Sequence, residues 1–332
     1  MKLFSKKTDI KKILVISSGG DAPGMNATIR AVVRTAIYHG LEVVGSRLGF
    51  EGIVNDDIIP LDVKSVANCI QRGGTILQSA RFPEFKDHKV REKALSILKR
   101  EHIDALVVLG GDGSFRGASL LEQEGDIKVI GIPCTIDNDI QNTEYTIGFD
   151  TACNTALEAI DRIRDTAFSH NRHFLVEVMG RDTGFLAVEV GIAGGAEFVL
   201  IPEAPITVPE LAARIRARKR TKLGSIIVVA EGEKPGRSFG LAKELQAELN
   251  TEYKVCVLGH TQRGGSPTVR DRKVASLMGA KAVQALLAGE SQKMTALQQG
   301  KVVLTAFPDL DAGPRKFADT ELLKINQILC DI

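Results

Sequence analysis

The chain alternates short, unbroken apolar runs with segments whose apolar residues recur every three or four positions. Ile13–Ser17 is the first run and predicts a strand. After it, Met25, Ile29, Val32, Val33, Ala36 and Ile37 fall at helical spacing, and Gly40 is placed to end that helix. Ala105–Leu109 (ALVVL) predicts a second strand and Val129–Ile132 a third. His173–Met179, Phe198–Ile201, Ser225–Ala230 and Tyr253–Leu258 continue the series. These runs are β-branched and continuous, not alternating apolar with polar. That pattern suits strands buried on both faces, as in a parallel sheet covered by helices. The expected fold is α/β, doubly wound, with mainly parallel strands in two sheets. In such sheets ligands bind beyond the carboxyl ends of the strands, so the chemistry is expected in the loops that follow them.

Three of those loops carry candidate chemistry. The first is Ser17-Ser18-Gly19-Gly20-Asp21-Ala22-Pro23-Gly24. Its glycines allow close backbone approach, and the helix start behind it offers free N–H groups to an anion. It reads equally as a tight strand-to-helix turn, because the G-x-G-x-x-G spacing of a dinucleotide site is absent. The second is Gly110-Gly111-Asp112-Gly113-Ser114. One carboxylate among small residues at a strand end suits a magnesium ion whose other ligands come from substrate phosphates. A turn with a capping aspartate is the alternative, but four small residues around one carboxylate exceed what a turn needs. The third is Pro133-Cys134-Thr135-Ile136-Asp137-Asn138-Asp139. Two carboxylates two residues apart suit a general base with a supporting group beside it, or else an Asx-rich turn.

Basic residues also gather at strand boundaries. Arg172, Arg181, Lys254, His260 and Arg263 lie at strand starts or just past strand ends, where arginine can grip a phosphate with two parallel hydrogen bonds. Arg30 and Arg34 share the helix face opposite the apolar stripe. Arg214, Arg216, Arg218, Lys219, Arg220 and Lys222 read as an exposed helix and loop.

Composition narrows the classes. The 332 residues allow two ordinary domains. A net charge of +2 and the absence of tryptophan argue against a nucleic-acid partner. Cys69, Cys134, Cys153, Cys256 and Cys330 are scattered with no C-x-x-C pair, so neither a disulfide framework nor a zinc site is expected, and a reducing cytoplasm fits. The apolar run near the N-terminus, Ile13–Ile16, is too short for a signal peptide core, and no stretch approaches the ~20 residues of a membrane span.

The segments SSGGDAPGMNATIR, QRGGTILQSARFPEF, GGDGS, TIDNDI, YTIGFDTA, EVMGRDTG and LGHTQRGGSP, in this order between residues 11 and about 285, resemble those of bacterial-type phosphofructokinases. The resemblance implies two Rossmann-like domains with mainly parallel sheets and the active site in the cleft between them. One would be a nucleotide-binding domain over 1–148 plus 262–311, the other a sugar-phosphate-binding domain over 149–261 plus 312–332. The implied reaction moves the γ-phosphoryl group of MgATP to the 1-hydroxyl of fructose 6-phosphate, the committed step of glycolysis. By resemblance, Asp137 is the base and Asp139 supports it. Thr135, Arg181 and Arg81 stabilise the moving phosphoryl group. Asp112 helps hold Mg²⁺. Gly20, Phe50, Arg81, Phe82, Gly111, Asp112, Gly113 and Ser114 line the ATP site. Thr135, Asp137, Met179, Gly180, Arg181 and Glu231 hold the sugar, and His260, Arg263, Arg172 and Lys254 grip its 6-phosphate. In the family the last two reach in from a neighbouring subunit, which implies a homotetramer. An effector site for ADP or phosphoenolpyruvate would use Arg30, Arg34, Arg164, Gly195, Glu197, Arg220 and Lys222.

The sequence departs from the family pattern in places. Lys254 replaces a frequent arginine and Phe50 a frequent tyrosine. Gly224 and Val63 replace a histidine and an arginine near the effector site. Cys134 stands where nucleotide-dependent members usually have glycine and pyrophosphate-dependent members lysine. The latter also tend to have aspartate at the position of Gly113. A pyrophosphate-dependent phosphofructokinase is therefore the alternative reading, with ATP favoured because Gly113 leaves room for an α-phosphate. A lipid or NAD kinase of the GGDG type would not need GHTQRGG or EVMGR. A non-catalytic sugar-phosphate sensor would not need Asp112, Asp137 and Asp139 together.

Overall fold

The computed structural model describes residues 8–218, 224–232, 235–309 and 316–330. In chain order it begins with β1 (Lys12–Ser17), α1 (Met25–Tyr38), β2 (Glu42–Ser46), α2 (Phe50–Val54), β3 (Ile58–Pro60), α3 (His88–Arg100), β4 (Ala105–Gly110), α4 (Asp112–Glu124) and β5 (Lys128–Pro133). There follow α5 (Phe149–His170), β6 (His173–Val178), α6 (Phe185–Ala193), β7 (Phe198–Leu200), α7 (Val208–Ala217), β8 (Ser225–Ala230), α8 (Arg237–Leu249) and β9 (Tyr253–Val257). The chain continues through α9 (Val269–Leu287), β10 (Lys293–Gln298), β11 (Lys301–Ala306) and α10 (Glu321–Cys330).

Two compact units result. The first comprises 1–135, 140–150 and 263–315, the second 136–139, 151–262 and 316–332. In the first, seven strands run in the order β11-β10-β5-β4-β1-β2-β3. The core pairs are parallel, while β2–β3 and β10–β11 at the edges are antiparallel. All seven strands predicted from apolar runs are present, and β4 is buried along its whole length, as a strand covered on both faces must be. The outer strands β2, β3, β10 and β11, of which β3 and β11 are the edges, were not among the predicted runs. They are shorter or partly polar, and β10–β11 is a hairpin closed by Gln299-Gly300, both with positive φ, as a type I′ turn requires. Leu14, Ile16, Leu106, Val108 and Val129 pack with Phe50, Phe85 and Leu121 in the core of this unit.

The second unit holds a four-stranded, all-parallel sheet in the order β7-β8-β6-β9. Leu175, Ile227, Val229 and Leu245 anchor its core. In each sheet the strand order reverses once. The reversal lies between β1 and β4 in the first and between β6 and β9 in the second. Loops leaving adjacent strands in opposite directions open a crevice there, and that crevice is where ligands bind in open α/β sheets.

Candidate active site

In the first unit the reversal point brings two glycine loops together. Ser17 lies opposite Leu109 in the β1–β4 pair. Ser18 donates its N–H to Leu109 O at 2.9 Å, and Ser114 Oγ donates to Ser18 O at 3.2 Å. Gly110 must be glycine, since a Cβ there would lie 2.5 Å from Ser114 Oγ and 2.7 Å from Ser18 O. Gly19 donates to Ala80 O at 3.1 Å and accepts from Ser79 Oγ at 2.8 Å, which draws the segment leading to Arg81 and Phe82 against the first loop. Asp112 is the first residue of α4, at the helix end whose dipole favours an anion. A Cβ on Gly111 or Gly113 would meet nothing within 4 Å, so both flanks of Asp112 border open space.

Arg263 belongs to this same unit. Its guanidinium lies directly over Gly20, where a Cβ would come within 2.1 Å of Nη1. Nη1 stands 3.8 Å from Asp21 Oδ1, and the buried Nε has no hydrogen-bond partner among the described residues. The structure thus groups Arg263 with the glycine loop, whereas sequence reasoning grouped it with the sugar-phosphate residues.

Phe50, which the resemblance placed along the ATP site, packs into the core of the first unit. It is only 4% exposed, stacks on Phe85 with ring centroids 4.2 Å apart, and covers Gly117. It is a core residue whose faces are already occupied. Phe82, partly exposed and 6.3 Å from the Phe85 ring, is the aromatic that borders solvent.

In the second unit Asp137 is buried, its side chain 4% exposed, and Arg181 Nε lies 3.6 Å from its Oδ2. Arg181 follows β6 in a turn with φ +138° at Gly180 and +51° at Arg181 itself. A left-handed arginine costs on the order of 1–3 kcal/mol and persists only where its surroundings hold it. The hold is visible. Arg181 N–H donates to Glu231 Oε1 at 3.2 Å, and Thr183 closes the turn onto Gly180 O through both its N–H and Oγ1, each at 3.0 Å. Met179 N–H donates to Gln262 Oε1 at 2.9 Å. The loops after β6, β8 and β9 therefore share one hydrogen-bonded constellation, and His260, two residues before Gln262, is exposed.

Arg172 and Lys254 are not brought to this constellation. Arg172 precedes β6, and Lys254, opposite Phe174, is the second residue of β9 and pairs with Glu252. The length of β6 sets Arg172 roughly 20 Å from Met179. Elsewhere in the second unit, Arg164 donates to the carbonyls of Gly194 and Gly195 and stands 3.8 Å from Glu197 Oε1. Glu197 is buried and accepts from Ile226 N–H at 2.7 Å. Arg30 and Arg34 lie on α1 in the first unit, Arg34 exposed. Arg220 and Lys222 lie outside the described residues. Arg218, expected to be solvated, instead donates to Cys330 O and lies 5.4 Å over the Phe198 ring.

Cys134 does not face the loops as a reactive group. It is 1% exposed and forms an isolated parallel bridge with Ile147. Burial pushes its thiol far above the ordinary range, outweighing a hydrogen bond from the Thr28 side that favours the thiolate. Only the thiolate alkylates. Iodoacetamide at pH 8 is expected to leave Cys134 unmodified in the folded protein while labelling partly exposed Cys153, as read by peptide mass spectrometry. Labelling of Cys134 at the rate seen in denaturant would contradict this.

Sequence reasoning missed several supporting groups. Gln262 sat inside the GHTQRGG segment and was passed over. Glu177, one residue from the end of β6, is buried and caps α8 by accepting from Ser238 N–H at 2.9 Å and Ser238 Oγ at 2.7 Å. A lone glutamate in an apolar run was its only signal. Tyr145 opened the YTIGFDTA segment and was passed over too, while Asp271, described below, gave no signal.

An α/β protein with glycine loops at one sheet reversal and a buried, arginine-paired aspartate has the parts of a phosphoryl-transfer enzyme. Comparison with known proteins narrows this class. The family model for phosphofructokinase matches residues 12–286. An ATP-dependent 6-phosphofructokinase from Coxiella burnetii is 59% identical over 323 residues, covering 97% of this chain and 99% of that protein. ATP-dependent 6-phosphofructokinase 1 from Thermus thermophilus is 52% identical over 321 residues, covering 96% and 99%. Among solved structures, Pichia pastoris phosphofructokinase in the T-state superposes with a TM-score of 0.84 at 35% identity. That match covers 90% of this chain but only 35% of the longer Pichia chain. The chain belongs to the phosphofructokinase family.

Proposed function

We propose that the protein transfers the γ-phosphoryl group of MgATP to the 1-hydroxyl of fructose 6-phosphate, giving fructose 1,6-bisphosphate and ADP. The observation that carries this is the buried Asp137 carboxylate, paired with Arg181 at the carboxyl end of β6. Asp137 would accept the hydroxyl proton, with Asp139 in support. Thr135, Arg181 and Arg81 would meet the charge that develops on the moving phosphoryl group, the dominant task in such transfers. Gly20, Arg81, Phe82, Gly111, Gly113 and Ser114 would line the nucleotide site. Met179, Gly180 and Glu231 would hold the sugar, and His260 its phosphate.

Asp112 fits a magnesium ion. A single carboxylate with open space on both flanks leaves coordination positions for phosphate oxygens and water, as this ion prefers. When bound, Mg²⁺ would neutralise phosphate charge.

The distance between Arg172 or Lys254 and the loops after β6 supports a 6-phosphate grip completed by a neighbouring subunit, hence a homotetramer. The contacts among Arg164, Gly195 and Glu197 support an effector site in the second unit, for ADP or phosphoenolpyruvate, to which Arg30 and Arg34 would contribute from a helix face. Among the described residues no helix is long and apolar enough to cross a membrane. A cytoplasmic location is our reading.

The donor is tested directly. Purified protein is expected to form fructose 1,6-bisphosphate with MgATP and negligible product with pyrophosphate. The names of relatives 51–59% identical support ATP. Turnover with pyrophosphate alone would overturn this reading in favour of the alternative.

A further inference from the structure

Asp271, in the first turn of α9, has no exposed surface. A buried carboxylate is tolerated only when its oxygens are hydrogen-bonded. Its own backbone N–H is capped by Thr268 Oγ1 at 3.2 Å, but its side chain reaches away from the helix. Oδ1 accepts from Tyr145 O–H at 2.6 Å and from Gly148 N–H at 2.8 Å. Tyr145 Oη in turn accepts from Asp150 N–H at 3.1 Å, and the Arg270 guanidinium lies 4.5 Å over its ring. Burial first, and the neighbouring Asp271 charge second, hold the phenol well above its usual range, so it remains the donor. One carboxylate therefore pins both ends of the segment 145–148.

That segment in turn holds the loop that carries Thr135 and Asp137. Ile147 N–H donates to Pro133 O at 3.0 Å, and Thr135 N–H donates to Ile147 O at 3.1 Å. Thr146 Oγ1 donates to Thr135 O at 2.7 Å. Both backbone polar groups of Thr135 are thus fixed by residues that Asp271 anchors, and Thr135 precedes Asp137 by two positions.

We propose that Asp271 is a positioning residue for phosphoryl transfer, setting the backbone of Thr135 and Asp137 through Tyr145 and Gly148. The proposal rests on the catalytic assignment of those two residues above. It goes further in naming what fixes them. A carboxylate is suited to this because charge-assisted hydrogen bonds are about twice as strong as neutral ones. A displacement of about 1 Å at a reacting group can cost on the order of 100-fold in rate.

The test combines kinetics with hydrogen exchange over residues 133–150 in the full-length protein. Asp271→Ala is expected to lower kcat by about 10–100-fold while KM for ATP and for fructose 6-phosphate stays within about threefold. The Thr135 and Ile147 amides should exchange faster. Asp271→Asn keeps an oxygen acceptor and should recover most of the lost kcat. Tyr145→Phe should lower kcat in the same direction but by less than about tenfold. An unchanged kcat in Asp271→Ala overturns the proposal, as does a fall in kcat with exchange at Thr135 and Ile147 unaltered. If Asp271→Ala does not fold, Tyr145→Phe decides, and an unchanged kcat there overturns it. Asp137→Ser measured alongside separates the two claims, because turnover retained in that variant sinks the catalytic assignment whatever Asp271 does.

Discussion

Replacing Asp137 with serine is expected to lower turnover by about 10²–10⁴-fold while KM for fructose 6-phosphate stays within about threefold. Serine keeps a small polar side chain in the same buried place but cannot take a proton from a sugar hydroxyl near neutral pH. A base acts in the transition state more than in the ground state, so its loss should fall on kcat. The ion pair with Arg181 is lost too, yet the arginine is about half exposed and keeps its water, so little stability depends on it. The Arg181 turn is held independently by Glu231 and by the Thr183 contacts with Gly180. A melting curve close to that of the parent protein should accompany the kinetic loss. Steady-state rates with MgATP decide the matter. A fall smaller than about tenfold would remove Asp137 as the base, because general-base catalysis contributes at least that much.

The legible part of this fold was the part written in continuous apolar runs. Strands such as β4 are buried on both faces, so every residue in them must be apolar and the run announces itself. The edge strands β3 and β11 escaped because an edge has one neighbour and one exposed side, and β2 and β10, one strand further in, because Glu42, Gly45, Thr295 and Gln298 interrupt their apolar runs. β11 is only partly buried along its length and begins with Lys301. Glycine and aspartate beyond a strand end also serve turns and helix caps, so spacing left each loop open, and it was the ordered family segments that singled these loops out. What those loops rest on was not legible. Gln262, Glu177 and Asp271 act through hydrogen bonds to backbone groups tens of residues or more away in sequence, and no local pattern records such a partner. Two contacts that the sequence did not show have the same origin. Phe50 and Phe85 are 35 positions apart and stack, and Arg263 crosses to Gly20 from the far side of the sequence. Sequence order showed which residues were available, while topology decided which of them meet.

The loop before α4 should carry the second large effect. Gly113→Asp is expected to lower kcat/KM for ATP by about 10²–10³-fold, because a carboxylate set against nucleotide phosphates costs several kcal/mol. The same change should leave the fold intact. A Cβ at this position meets nothing within 4 Å, and the residue is exposed. It is the second residue of α4, where a negative charge is favoured by the helix dipole and where removing a glycine favours the helix. Stability and activity should therefore move in opposite directions, with an unchanged or slightly raised melting temperature beside a large loss with ATP. Gly113→Ala separates charge from bulk. Its methyl enters the same open space without charge, and it should retain kcat/KM for ATP within about tenfold of the parent. If the aspartate variant used ATP as well as the parent does, the open flank of Asp112 would not be where the nucleotide phosphates lie. The nucleotide site would then have to be sought away from the β4–α4 loop. Equal losses in the alanine and aspartate variants would instead assign the effect to crowding, with the charge playing no part.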